Sequence, residues 1–319
     1  MTAPLTYHAR LSAELETLTK AGLTRRLEQR SSAQGVNIEI NGRQLVNFSS
    51  NDYLSLAADA SVVSAVTAQL PQHGFGAGAA ALLSGRSSVH AELEQRLQSY
   101  TGAEAVLLFS SGYRANLGAL VAMMGKTDFV AHDRLNHASL IDAVLASGAK
   151  HRRYPPLALD NLDKMLQQAD HPGQRVIVSE SIFSMDGDSP DLFELLQLAQ
   201  SHEATLYVDD AHGFGVTHAG RGVAGALNLT TDSAHTRVVM LTFGKALGSV
   251  GAAILAPAYV IEYLVQRART FIYDTALPAV CAAAAVAGLE RLAASPELPQ
   301  QLQQNIAWFR TTAAAAGIE

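Results

Sequence analysis

The chain is short of cysteine, of aromatic residues and of charge. Across 319 residues it has one cysteine and one tryptophan, and only 6% aromatic and 16% charged residues. A lone cysteine, Cys281, cannot close an intramolecular disulfide; set among alanines, it reads as a small apolar residue rather than a nucleophile. No basic excess exists either. The 23 Lys and Arg against 29 Asp and Glu leave a net charge of -6, which offers no footprint for nucleic acid or an anionic membrane. The N-terminus lacks an apolar signal stretch, and the longest apolar run, Ala276 to Leu289, is too short and alanine-rich to cross a bilayer. These absences predict a cytoplasmic chain whose partners are small molecules or copies of itself.

What is present is core material. A hydrophobic content of 48% supports a substantial interior, and the length suggests about two domains. Leu11, Leu15, Leu18, Leu23 and Leu27 fall near one helical face, so an amphipathic N-terminal helix is expected. "VNIEI" and "RQLVNF" then flank Asn41 and Gly42, the signature of a type I′ hairpin. Residues 1–48 are read as this helix and hairpin. From about Ala105, the short apolar runs "AVLLF", "DFVAH", "RVIVSE", "ATLYVDD", "RVVMLTF" and "GAAILA" are separated mostly by longer helical segments such as "DLFELLQLAQSH". That alternation predicts an α/β fold with a mostly parallel central sheet flanked by helices, assigned to residues 49–285. Beyond Pro278 the chain reads as helical, and residues 286–319 are expected to begin a smaller C-terminal domain.

Ligands of open α/β sheets gather at the carboxyl ends of strands, so the residues following each run are the ones to weigh. After "AVLLF" comes "SSGYRAN", whose hydroxyls and helix-start N–H groups suit phosphate. Alone, it is more often a turn and an N-cap. "DDAHG" places Asp209 and His212 at another strand end, open to a turn-capping reading and to a metal hydrolase built on Asp209, Asp210 and His212. No recognised ligand spacing such as HExxH accompanies them. "SIFSMDGDSP" offers Ser184 and Asp186, and "DRLNHASL" puts His137 near a helix start. Finally, "LTFGKALGSVGAA" sets Lys245 between Gly244 and Gly248, directly after an apolar run, where something can approach the backbone closely. Each feature has a bland explanation singly. Together they are the equipment of a pyridoxal phosphate enzyme: a Schiff-base lysine, a carboxylate for the pyridinium nitrogen and a phosphate cup.

The ordered stretches "NFSSNDYLSL", "LLSGRSSVHAELE", "LFSSGYRANLGAL", "DRLNHASLIDA", "ESIFSMDGDSPDL", "VDDAHGFGV", "TFGKALGSVGAAI" and "IYDTALPA" resemble the α-oxoamine synthases, PLP-dependent transferases of fold type I (aspartate aminotransferase-like). The resemblance implies that Lys245 holds the cofactor and moves the substrate α-proton. It implies that Asp209 pairs with the ring nitrogen, that His212 bonds the ring hydroxyl and that His137 stacks on the ring. Ser111, Gly112 and Tyr113 are implied in the strand-end cradle, Thr242 on the phosphate and Ser184 along the cofactor site. Arg25, Asn51 and His137 are implied on the substrate side. The implied activity is a decarboxylative condensation of L-alanine with a pimeloyl thioester, carried by coenzyme A (CoA) or acyl carrier protein (ACP), in biotin biosynthesis. A homodimer and no metal are implied. Other members using glycine or another acyl thioester, and a non-catalytic cofactor-binding subunit, are the alternatives. Two departures stand out: Asp274 in "IYDTALPA", where the family usually carries a hydroxyl, and an end at Glu319, one helix into the family's C-terminal domain.

Overall fold

The computed structural model describes residues 6–169, 171–230 and 235–318. The chain divides into two units, Met1–Ser49 and Ser50–Glu319. In the first, helix α1 (Tyr7–Lys20) is followed by the antiparallel pair β1 (Asn37–Ile40) and β2 (Arg43–Val46). Asn41 and Gly42 take φ of 50° and 75°, the positive pair that a type I′ turn requires. Helix α1 buries none of its residues, and Leu11, Leu15 and Leu18 are all exposed. Leu23 and Leu27 lie beyond its end, so the expected helix stops short of them.

The second unit is built on seven strands: β3 (Ala105–Phe109), β4 (Phe129–Asp133), β5 (Lys150–Tyr154), β6 (Arg175–Glu180), β7 (Ala204–Asp209), β8 (Arg237–Thr242) and β9 (Ala252–Ala256). Their order is β3-β9-β8-β7-β6-β4-β5. Only β9 runs against its neighbours, so the sheet is mostly parallel. Successive side chains point to opposite faces of a strand, and here both faces are dry. Leu206 and Val208 join one hydrophobic cluster while Tyr207 between them joins the other; Val239 and Leu241 alternate likewise with Val238 and Met240. Burying a leucine of this kind contributes about 1.5–3 kcal/mol, which is why central strands read as unbroken apolar runs.

Helices α2 (Ala60–His73), α3 (Ser88–Thr101), α4 (Gly112–Met123), α5 (Ala138–Ser147), α6 (Leu159–Gln167), α7 (Leu192–Ser201), α8 (Ala258–Arg267), α9 (Arg269–Ile272), α10 (Ala279–Ala294) and α11 (Glu297–Ala315) complete the unit. The alanine-rich α10 packs on α2 and α3. Alanines permit close approach: a Cβ on Gly288 of α10 would stand 2.6 Å from the carbonyl oxygen of Leu247, in the loop that carries Lys245. Among the described residues no single helix is long and apolar enough to cross a membrane.

Candidate active site

The carboxyl ends of β3, β4, β6, β7 and β8 open on one cavity of about 200 Å³. Gly112, Tyr113, His137, Asp209, His212, Thr242 and Lys245 all line it, together with Asn116, Ser139, Glu180, Ala211 and Met240. Seven residues singled out from sequence are thus brought together. Ser111 caps α4, its Oγ accepting the N–H of Arg114 at 3.3 Å. The N–H groups of Gly112 and Tyr113, first in that helix, have no intrahelical acceptor and so remain for a ligand. Ser184 is exposed in the loop after β6 and lies outside the cavity lining. Arg25 belongs to the first unit and is exposed there. Asn51 is also exposed, and reaches the site through Tyr53, whose hydroxyl donates to Asn51 Oδ1 at 3.4 Å.

Lys245 stands in a tight loop after β8, closed by Gly248 N–H to Lys245 O at 3.0 Å and Ser249 N–H to Phe243 O at 2.9 Å. The close approach expected at its glycines occurs at one of them. Gly248 has a φ of +65°, and a Cβ there would stand 2.3 Å from Ala57 N, whereas a Cβ on Gly244 would meet ordinary contacts at 3.5 Å and beyond. What approaches Gly248 is the protein's own backbone at Leu56 and Ala57, which brings Tyr53 to the site. Lys245 Nζ lies 2.7 Å from His212 Nε2, and His212 Nδ1 lies 2.6 Å from the Tyr53 hydroxyl.

Asp209 ends β7 nearly buried, at 4% exposure. Its Oδ2 accepts from Asn116 Nδ2 at 2.7 Å and its Oδ1 from the N–H of Ala211 at 2.9 Å. Burial pushes this carboxyl up, opposed by those two donors and by the charges of Lys245 and His137. Glu180 is the neighbour of Asp209 across the β6–β7 pair and accepts the backbone N–H of His137. Burial and the like charge of Asp209 raise it to about 8. Burial also lowers the Lys245 ammonium, against the pull of Asp209 and Glu180. Burial, then Lys245 and His137, hold His212 down at about 4. His137 doubles as the N-cap of α5, accepting Ser139 N–H at 3.2 Å.

Asp210 turns the other way, as strand alternation demands. Its Oδ2 accepts the N–H of Val223 at 2.9 Å, and Cβ atoms on Gly213 or Gly222 would come within 2.1 and 1.9 Å of its carboxylate. It therefore clamps the segment after β7 and does not share a metal site with Asp209 and His212. Asp274 is likewise satisfied away from Lys245. It accepts from Ser110 Oγ at 2.5 Å and pairs with Arg114 Nη1 at 3.1 Å, so its charge is balanced within the chain. Cys281 is half-buried, and burial raises its thiol, consistent with a packing role.

A seven-stranded, mostly parallel sheet with a lysine, a buried aspartate and a helix N-terminus at one edge defines a class. The chain belongs to the aminotransferase class I and II family, whose model matches residues 43–319, and within it to the α-oxoamine synthases. It is 44% identical over 304 residues to the 8-amino-7-oxononanoate synthase of Thiobacillus denitrificans, covering 95% of this chain and 77% of that protein. Among solved structures it is similar to serine palmitoyltransferase from S. paucimobilis, with a TM-score of 0.89, 26% identity, and coverage of 100% of this chain and 82% of the other. It is similar also to 8-amino-7-oxononanoate synthase from Francisella tularensis, with a TM-score of 0.71, 30% identity, and coverage of 85% and 76%.

The residues present fit the cofactor that the class implies. Aldehyde, ring nitrogen and phosphate need an amine, a carboxylate and N–H or hydroxyl donors, and Lys245, Asp209, and Gly112 with Tyr113 and Thr242 supply them around one cavity. A Cβ on Gly112 would project toward Met240 and Thr242, at 3.4 and 3.8 Å, so the glycine keeps the cradle open. Sequence reasoning missed Asn116, Glu180 and Tyr53. Glu180 carried a signal, since it ends the run "RVIVSE" at the same sheet edge as Asp209.

Proposed function

We propose that the chain is a pyridoxal phosphate-dependent acyltransferase that condenses L-alanine with a pimeloyl thioester, releasing the thiol and CO2 and forming 8-amino-7-oxononanoate. The observation that carries this is the 44% identity to a protein of that name, over a stretch that includes every cavity residue. The higher TM-score to serine palmitoyltransferase reflects the shared fold at 26% identity, and the closer sequence kinship outweighs it for the substrate pair.

Pyridoxal phosphate, when bound, supplies an electron sink for charge developing at the amino acid α-carbon. Asp209 would pair with the ring nitrogen and favour its protonated form; the donors Asn116 and Ala211 N–H oppose the burial that pushes this carboxyl up. Lys245 would hold the cofactor through Nζ and would serve as the base for the alanine α-proton; burial lowers the ammonium toward the neutral amine this requires. His212 would hydrogen-bond the ring hydroxyl and His137 would stack on the ring. The N–H groups of Gly112 and Tyr113 would hold the phosphate, with the Thr242 hydroxyl beside them once it turns from the Gly251 carbonyl to which it donates at 3.0 Å. Ser111 keeps the cradle in place by capping α4, and Asn51 would meet the substrate; Ser184 stands exposed outside the cavity lining. The active form is a cytoplasmic homodimer, which sedimentation under assay conditions checks. Assaying L-alanine and glycine against pimeloyl-CoA and pimeloyl-ACP tests the reading. Alanine-dependent 8-amino-7-oxononanoate with one of the carriers is expected; no product with either, from protein that holds its cofactor, contradicts it.

A further inference from the structure

One contact in the cavity is left without a task by that account. Tyr53, half-buried and supplied by the loop before α2, places its hydroxyl 2.6 Å from His212 Nδ1, on the far side of the imidazole from Lys245. The four groups form a line with one consistent direction. With Lys245 as the ammonium and His212 as its Nδ1–H tautomer, Lys245 Nζ donates to His212 Nε2 at 2.7 Å, His212 Nδ1 donates to the Tyr53 hydroxyl, and that hydroxyl donates to Asn51 Oδ1 at 3.4 Å.

We propose that Tyr53 is the outer end of a proton relay, Lys245–His212–Tyr53, through which the Lys245 ammonium loses the proton that would otherwise block its attack on the cofactor aldehyde. The inference rests on Lys245 being the cofactor lysine. In the transfer an Nζ–H bond breaks and an Nε2–H bond forms; Nδ1–H breaks and a new O–H forms on Tyr53. The original Tyr53 proton leaves to water. The net result is a neutral Lys245 amine and a hydronium ion outside, with His212 neutral before and after, in its other tautomer. The hydrogen bonds then point the opposite way along the same line, Tyr53 donating to Nδ1 and Nε2 donating to Nζ.

The surroundings suit this. Bulk base reaches a half-buried lysine in a cavity wall less freely than an exposed one, and an imidazole with a conjugate acid at about 4 stays neutral and passes protons by changing tautomer. The titratable groups facing Lys245 are Asp209 of β7, Glu180 of β6 and His212; His137 and Tyr53 face His212. Among the described residues the hydrogen bond from Nζ goes to the imidazole and not to either carboxyl, so the imidazole is its direct outlet.

The test is the rate of cofactor attachment. The full chain, stripped of cofactor, is mixed with pyridoxal phosphate, quenched with borohydride at intervals, and the label on Lys245 is quantified by peptide mass spectrometry. Tyr53→Phe is expected to slow labelling about ten-fold or more near pH 7, within the range of a general acid–base contribution. The final occupancy should be unchanged, and the gap should close above about pH 10, where solvent base deprotonates the lysine directly. A tyrosine that only packs would give equal rates at every pH. Equal rates overturn the relay and leave the cofactor lysine standing; absence of label on Lys245 in wild type removes that reading instead. Should the variant not fold, wild-type labelling in H2O–D2O mixtures decides: a rate that curves with deuterium fraction supports a multi-proton transfer, and a linear one overturns it.

Discussion

Asn116 and Asp209 are joined by a 2.7 Å hydrogen bond, and the same amide also donates to Ser139 Oγ at 2.8 Å while accepting the Tyr207 hydroxyl at 2.8 Å. One fully buried side chain thus ties helix α4, whose first turn lines the cavity, to strand β7, which ends in Asp209. Replacing it with leucine strands several buried polar groups, each costing about 1–3 kcal/mol. Asn116→Leu is expected to lower stability by at least about 2 kcal/mol in urea unfolding and to weaken cofactor binding. An unchanged midpoint would show that the network contributes nothing.

Asp209→Asn separates charge from packing. Asparagine can accept the N–H of Ala211 but then turns its own NH2 toward the Asn116 amide, so stability should fall by about 1–3 kcal/mol. The lost negative charge at the ring nitrogen should cut turnover about 100-fold or more. A large stability loss with turnover retained would mark Asp209 as a turn-capping residue instead.

Without cofactor, stability should depend on pH in a particular way. Glu180 at about 8 and Asp210 at about 7 keep protons in the folded chain that the unfolded chain has lost, so raising the pH destabilises through that range. The limit is about 1.4 kcal/mol per pH unit for each carboxyl. His132 and His212 at about 4 act oppositely: the unfolded chain is protonated below its ordinary 6.5, so stability rises as pH climbs to that value. The two effects offset below about 6.5, and only the fall remains above it. Urea midpoints should be nearly level from about pH 4.5 to 6.5 and then decline toward 8. Glu180→Gln should flatten most of the decline above about 7; a wild-type midpoint that rises through this range contradicts the assignment.

Gly248→Ala should be severe. The residue combines a φ of +65° with a Cβ position 2.3 Å from the Ala57 backbone, so the Lys245 loop and the Tyr53 segment cannot both stay in place. A loss of about 2–4 kcal/mol is expected, with slower cofactor attachment. Gly244→Ala, which meets nothing closer than 3.5 Å, should be mild by comparison.

Much of the sheet was legible because most of its strands, the outer β3 included, are buried on both faces. "AVLLF" and "RVIVSE" coincide with β3 and β6 to the residue. β5, at the edge opposite β3, escaped because it is left uncovered: Lys150, His151, Arg152 and Arg153 face water and carry no apolar pattern to find. The leucines of the first segment do follow a helical spacing, yet α1 ends at Lys20 and buries none of them. At the site, residues standing just after strand ends were readable from topology alone. Asn116 was not, since it sits within a helix and its meaning comes from Asp209, far along the chain. Tyr53 was hidden for the same reason: only the packing of Leu56 and Ala57 on Gly248 brings it to His212.

The account turns on Lys245, and the most direct measurement is where borohydride fixes the cofactor. Purified protein reduced in the presence of pyridoxal phosphate and digested should yield a single pyridoxyl-labelled peptide, the one containing Lys245, and Lys245→Ala should yield none while keeping its fold. Label found instead on Lys20, Lys126, Lys150 or Lys164 would contradict the assignment of the site.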